Sequence, residues 1–74
     1  MNVKEIRENM TEEALSIESS LRRYCLTAQE VSDMCNLSLV EVNFILEQMI
    51  LKGLIKCNAI QRYSLTTEYK NRNF

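Results

Sequence analysis

Apolar residues recur along this chain at two periods, helical up to about residue 53 and alternating beyond it. Ala14, Ile17, Leu21 and Tyr24 stand at helical spacing behind Glu12 and Glu13, with Asn9 or Thr11 as the candidate cap. A first helix is therefore expected over about 11–25. Val3, Ile6 and Met10 carry the stripe upstream. Residues 3–10 read either as further helical turns or a separate short helix, a segment suited to dimerisation, or as a frayed and solvated end.

Thr27 with Glu30 and Ser38 with Glu41 repeat the spacing in which a hydroxyl and a carboxylate satisfy each other's backbone donors at a helix start. The two starts are so close that only a short helix fits between them. It is expected over about 28–35, burying Val31, Met34 and Cys35, and the turn Asn36–Ser38 follows with Leu37 as its apolar plug. The third helix, about 39–52, buries Val42, Ile45, Leu46 and Met49, and Gly53 supplies the left-handed residue that ends it. Leu54 can then pack back onto Met49.

From there the period is two. Ile55 and Cys57 alternate with Lys56 and Asn58, Tyr63 and Leu65 alternate with Arg62 and Ser64, and Ala59–Gln61 forms the turn between two strands. Thr66 or Thr67 caps a last short helix through Tyr69. A hairpin alone is marginal in water, so this one is expected to pack on the helices through Ile55, Tyr63 and Leu65. The expected fold is mainly α with a small β-hairpin: an N-terminal extension over 1–10, one domain of three helices and a two-stranded antiparallel hairpin over 11–66, and a tail or short helix over 67–74.

Length narrows the functional classes. Seventy-four residues bury only a thin core, with little room for a deep catalytic cleft. There is no His and no glycine-rich phosphate loop, and the carboxylates are scattered, so no nucleophile and base pair can be assembled. Neither an enzyme nor a cofactor is expected. No apolar run approaches the roughly 18 residues needed to cross a bilayer, and the N-terminus is polar, so no membrane partner and a cytoplasmic address are expected. Cys25, Cys35 and Cys57 lack the close pairs of a metal site and read as reduced thiols in the core; a redox sensor or an intermolecular disulfide is the alternative.

Nine Lys and Arg against ten Asp and Glu give a net charge of −1, so any contact with nucleic acid has to come from local patches. Lys52, Lys56 and Arg62, with Lys70 and Arg72, cluster on the hairpin and its flanks. They read either as phosphate contacts or as charges that keep the hairpin edge from pairing with other chains. Arg22 and Arg23 read as partners of the first helix's dipole.

The segment LTAQEVSDMCNLSLVEVNFILEQMILKGLI, residues 26–55, resembles the winged helix-turn-helix of small bacterial transcriptional regulators of the ArsR and MarR kind. Leu26-Thr27 resembles the opening of their second helix, Glu30-Val31 their polar-apolar pair, and Leu37-Ser38 their turn. Val42, Met49, Lys52, Gly53, Leu54 and Ile55 match the recognition helix and its exit, and Tyr63, Leu65 and Thr66 match the returning strand. The chain's size is similar to that of the compact regulators of fimbrial operons. The resemblance implies a small sequence-specific regulator that binds double-stranded DNA, as a dimer or beside a partner. Its third helix would enter the major groove, the N-terminus of the second would face phosphate, and a basic wing would lie on the backbone. Thr27 and Gln29 would then hold phosphate; Ser38, Val40, Asn43, Phe44 and Gln48 would face base edges; Lys52, Lys56 and Arg62 would serve the wing.

The residues of the third helix also support another reading. With Val42 inward, 100° per residue turns Val40, Phe44, Glu47 and Leu51 outward, with Asn43 and Gln48 on the flanks. No Lys or Arg precedes Lys52, and only Asn43 and Gln48 have the side chains that usually read adenine. Glu41 has a structural task in its cap, and Glu47 reads as a cytosine contact or a solvated charge. An exposed apolar stripe of this kind suits a protein contact, which makes a regulatory protein or a second copy the alternative partner.

Overall fold

The computed structural model describes residues 3–71. Its elements are α1 (Val3–Glu8), α2 (Glu12–Arg23), α3 (Ala28–Cys35), α4 (Leu39–Leu51), β1 (Ile55–Cys57), β2 (Tyr63–Leu65) and α5 (Thr67–Lys70). The protein is mainly helical with one two-stranded antiparallel sheet. Arg72 and the side chain of Val3 lie outside the described residues.

Helices α2 to α5 each begin where a hydroxyl can satisfy an orphan N–H. Thr11 Oγ1 accepts from the Ala14 N–H (3.2 Å), while Asn9 Nδ2 donates to the Glu5 carbonyl (2.9 Å), so α1 ends and α2 begins as separate helices. At α3 the exchange is reciprocal: Thr27 Oγ1 accepts from the Glu30 N–H (3.1 Å) and Glu30 Oε1 accepts from the Thr27 N–H (2.9 Å). At α4 only half of the expected box forms. Ser38 Oγ accepts from the Glu41 N–H, but the Glu41 carboxylate takes the Ser38 hydroxyl proton, both at 3.2 Å.

The turn between α3 and α4 is held by Asn36, whose φ of 54° lies in the left-handed region that Asn tolerates. Ser32 Oγ donates to the Leu37 carbonyl (2.6 Å), and across this turn the two helix axes bend through 115°. No single helix among the described residues is long and apolar enough to cross a membrane. Helix α4 closes with paired bonds, Leu54 N–H to the Met49 carbonyl (3.0 Å) and Gly53 N–H to the Ile50 carbonyl (2.9 Å). That geometry needs the φ of 74° at Gly53, and it folds Leu54 back into the core beside Met49.

The hairpin pairs Ile55 with Leu65, Lys56 with Ser64 and Cys57 with Tyr63. Its loop is wound on Asn58, whose Oδ1 accepts from the N–H groups of Ile60 (3.1 Å) and Arg62 (3.0 Å), and Gln61 takes a φ of 64°. An unforeseen third strand position joins it. Leu26 and Tyr63 exchange backbone bonds at 3.0 and 2.6 Å, which fastens the hairpin to the segment between α2 and α3.

The core is one cluster drawn from every helix of the domain and both strands: Ile17, Leu21, Leu26, Val31, Val42, Leu46, Met49, Leu54, Ile55, Leu65 and Tyr69. Several expected core residues are not in it. Tyr24 is exposed because α2 ends at Arg23 and the chain turns extended to deliver Leu26 to Tyr63. Met34 is exposed because α3 turns Val31 and Ser32 inward, and the Ser32 hydroxyl is needed there to hold the Leu37 carbonyl. The cysteines are free thiols, yet Cys25 and Cys57 are exposed and Cys35 is half-buried, against the expectation of core thiols. Cys25 lies in the extended link after α2, and Cys57 lies at the exposed end of β1.

Candidate functional site

Among the described residues, the outward face of α4 is the largest group of solvent-facing apolar side chains. Val40 is 81% exposed, Phe44 64% and Leu51 74%, while Leu39 and Ile50 beside them are partly exposed. The opposite face holds Val42, Leu46 and Met49 in the core, so the helix is locked by one side and offers the other. Of the residues expected to face base edges, Ser38, Val40, Asn43, Phe44 and Gln48 are all exposed on α4 or its cap. Glu47 shares this face, and no cation does before Lys52 at the helix's end.

Beside α4, a groove of about 370 Å³ runs along the junction of α1 and α2. Met10, Ala14, Ile45, Met49 and Leu54 give it an apolar lining, and Asn9, Glu13, Glu41, Gln48 and Lys52 give it polar groups. Phe44 lines it too, so the groove and the outward stripe are continuous through one ring.

The residues expected to hold phosphate sit elsewhere and are largely occupied. The Thr27 hydroxyl is taken by the α3 cap, and Gln29 Nε2 donates to Asp33 Oδ1 (3.1 Å). Arg62 turns inward: its Nη1 reaches Glu30 Oε1 (3.0 Å) and the Cys25 carbonyl (3.1 Å). The α3 N-terminus therefore already carries a carboxylate, clamped by a guanidinium from the hairpin. The Thr27 backbone N–H holds the Glu30 carboxyl below the usual carboxylate range, burial opposes this, and Arg62 adds to the lowering. Lys52 and Lys56 are exposed and form no ion pair among the described residues.

A lowered carboxyl gives stability a defined pH dependence. Glu30 binds fewer protons folded than unfolded, so its contribution is complete above its ordinary value of 4.5 and lost as pH falls through the lower folded value. Replacing Glu30 by Gln is expected to lower stability at neutral pH, and the gap to wild type should close as the medium is acidified below that ordinary value. Denaturation curves across this acid range measure it; a gap independent of pH would mean that the ionised carboxyl is not what holds the cap.

Sequence reasoning missed Glu18. It is fully buried, and three side chains converge on it: Arg7 Nε on Oε2 (3.2 Å), Arg22 Nε on Oε1 (3.2 Å) and the Tyr69 hydroxyl donating to Oε2 (2.8 Å). Arg22 also lies over the Tyr69 ring at 5.6 Å, so its part goes beyond the helix dipole assigned to it from sequence. Burial and the bond to Glu18 push the Tyr69 hydroxyl up to about 12, so it remains a donor well into the alkaline range. The signal was present in part, since Glu18 follows Ala14 by one helical turn on the inward stripe and precedes Arg22 by another. The cluster ties α1 and α5 to α2, and none of its four residues lines the groove beside α4.

The chain matches no protein-family model, no curated protein and no solved structure.

Proposed function

We propose that this protein is a winged helix-turn-helix domain that presents α4 to a partner, and that the partner is another protein. The fold reading rests on the order of α2, the Leu26 strand position, α3, α4 and the hairpin, and on a bend of 115° between α3 and α4, within the range of about 90–120° for helix-turn-helix pairs. The observation that carries the functional reading is the cation-free stripe of Val40, Phe44 and Leu51, each more than half exposed on a helix whose other face is fixed in the core. Exposed apolar side chains gathered on one rigid face are removed from water when a partner covers them.

Binding of double-stranded DNA by a sequence-specific regulator is the second reading. It is favoured by the helix-turn-helix bend, by the exposed amides of Asn43 and Gln48, and by Lys52 and Lys56, which form no ion pair among the described residues. It is weakened by Glu47 on the same face and by the inward pairing of Arg62.

Phe44→Ala and Lys56→Ala separate the two readings. For a protein partner, Phe44→Ala is expected to weaken binding by about 2 kcal/mol, roughly 30-fold, while Lys56→Ala changes little. For DNA, gel shifts across a salt series are expected to lose affinity with a slope of about −0.9 per phosphate contact. Lys56→Ala would then weaken all sequences alike, and Asn43→Ala would relax specificity. Retention of DNA that depends on Asn43 and Lys56 but not on Phe44 would overturn the protein-binding reading.

A further inference from the structure

The α4 face and its groove constrain the shape and charge of what they hold. The groove lies between α4 and the α1–α2 junction, and neither strand of the hairpin contributes to its lining, so it presents no strand edge to pair with. An extended peptide laid there would leave its own N–H and C=O groups without partners over an apolar lining. A helix brings its backbone bonds with it and offers side chains at i, i+3, i+4 and i+7 to a groove of this kind. A volume of about 370 Å³ accommodates a few aliphatic side chains.

Charge narrows the occupant further. Glu13 and Glu41 line the groove and Glu47 stands on the adjoining outward face, against the single cation Lys52. Among the described residues, Glu13 and Glu47 form no ion pair. A second copy of the chain fits less well: the outward positions 40, 44, 47 and 51 would form the seam of a symmetric α4 pair, burying the Glu47 of each copy with Lys52, at the helix end, as the one cation of α4 and its caps to set against it. A basic segment meets the same carboxylate favourably.

We infer that α4 and the groove beside it hold an amphipathic helical segment of another protein, apolar on one face and carrying Lys or Arg on its flanks. This rests on the protein-binding reading of α4 and specifies its partner.

Two synthetic helical peptides of about 14 residues test it, each with Leu at i, i+3, i+4 and i+7, one flanked by Lys and the other by Glu. Anisotropy titrations with the full chain are expected to give binding of the Lys peptide and about tenfold weaker binding of the Glu peptide at low salt, the difference shrinking as salt is raised. Phe44→Ala is expected to weaken the Lys peptide about 30-fold. Glu47→Lys, on an exposed helical position, should narrow the preference between the peptides by about threefold or more. Equal binding of both peptides, binding of neither, or an unchanged preference in Glu47→Lys would overturn the inference. Phe44-dependent binding of the Glu peptide that is tighter than that of the Lys peptide, or Phe44-dependent self-association, would remove the basic helix and leave α4 as a protein surface. Binding of neither peptide together with Asn43-dependent retention of DNA would remove both.

Discussion

Replacing Glu18 by Ala is expected to destabilise the protein by about 3–5 kcal/mol, the cost of removing one side of a buried ion pair. The carboxylate has no exposed surface, and its two oxygens are shared among Arg7, Arg22 and the Tyr69 hydroxyl at 2.8–3.2 Å. Without it, two guanidinium groups face each other around an empty position, and the phenol loses the acceptor that its burial demands. Small domains are stable by roughly 5–15 kcal/mol, so this one change removes a large share of the total. Glu18→Gln keeps an acceptor for Tyr69 but not the charge, and should fall between Ala and wild type. Urea denaturation measures the loss, and hydrogen exchange should show α1 and α5 released together, because both reach α2 through this residue. A cost below about 1 kcal/mol for Ala would mean that the cluster contributes no more than an exposed pair.

The second large effect separates the two faces of α4. Leu46 is 1% exposed and packs in the core; Leu46→Ala is expected to cost about 2–5 kcal/mol through lost burial and the cavity left behind. Phe44→Ala, two residues earlier, should change stability by no more than about 0.5 kcal/mol, because most of the ring already faces water. Thermal melts of the two variants therefore diverge, while only Phe44→Ala leaves a folded protein that fails to hold its partner. Equal losses of stability would place the Phe44 ring in the fold and remove the premise that α4 is offered outward.

That division along α4 was legible in the residues, because helical spacing alone sets Val42, Leu46 and Met49 opposite Val40, Phe44 and Leu51. The starts and stops of α3 and α4 were legible for a similar reason. Thr27, Ser38 and Gly53 act on backbone groups within a few residues of themselves, so nothing distant has to be known. The end of α2 was not legible. Tyr24 continues the apolar stripe, and only the pairing of Leu26 with Tyr63 draws the chain out of the helix before it. The same limit applies to Arg62, which reads as a free wing cation until the hairpin brings it to Glu30.

The residues by themselves determined the helix boundaries around the Asn36–Ser38 turn, the two strands and their register-setting loop, and which side of α4 faces water. These depend on caps, periodicity and turn chemistry, whose partners are near in the chain. Only the tertiary structure decided that Glu18 is buried among Arg7, Arg22 and Tyr69, that Arg62 is committed to the α3 cap, and that Phe44 joins the outward stripe to a groove. Those outcomes depend on groups brought together from separate helices and the hairpin, and a side chain's type does not reveal which distant partner the fold will set against it.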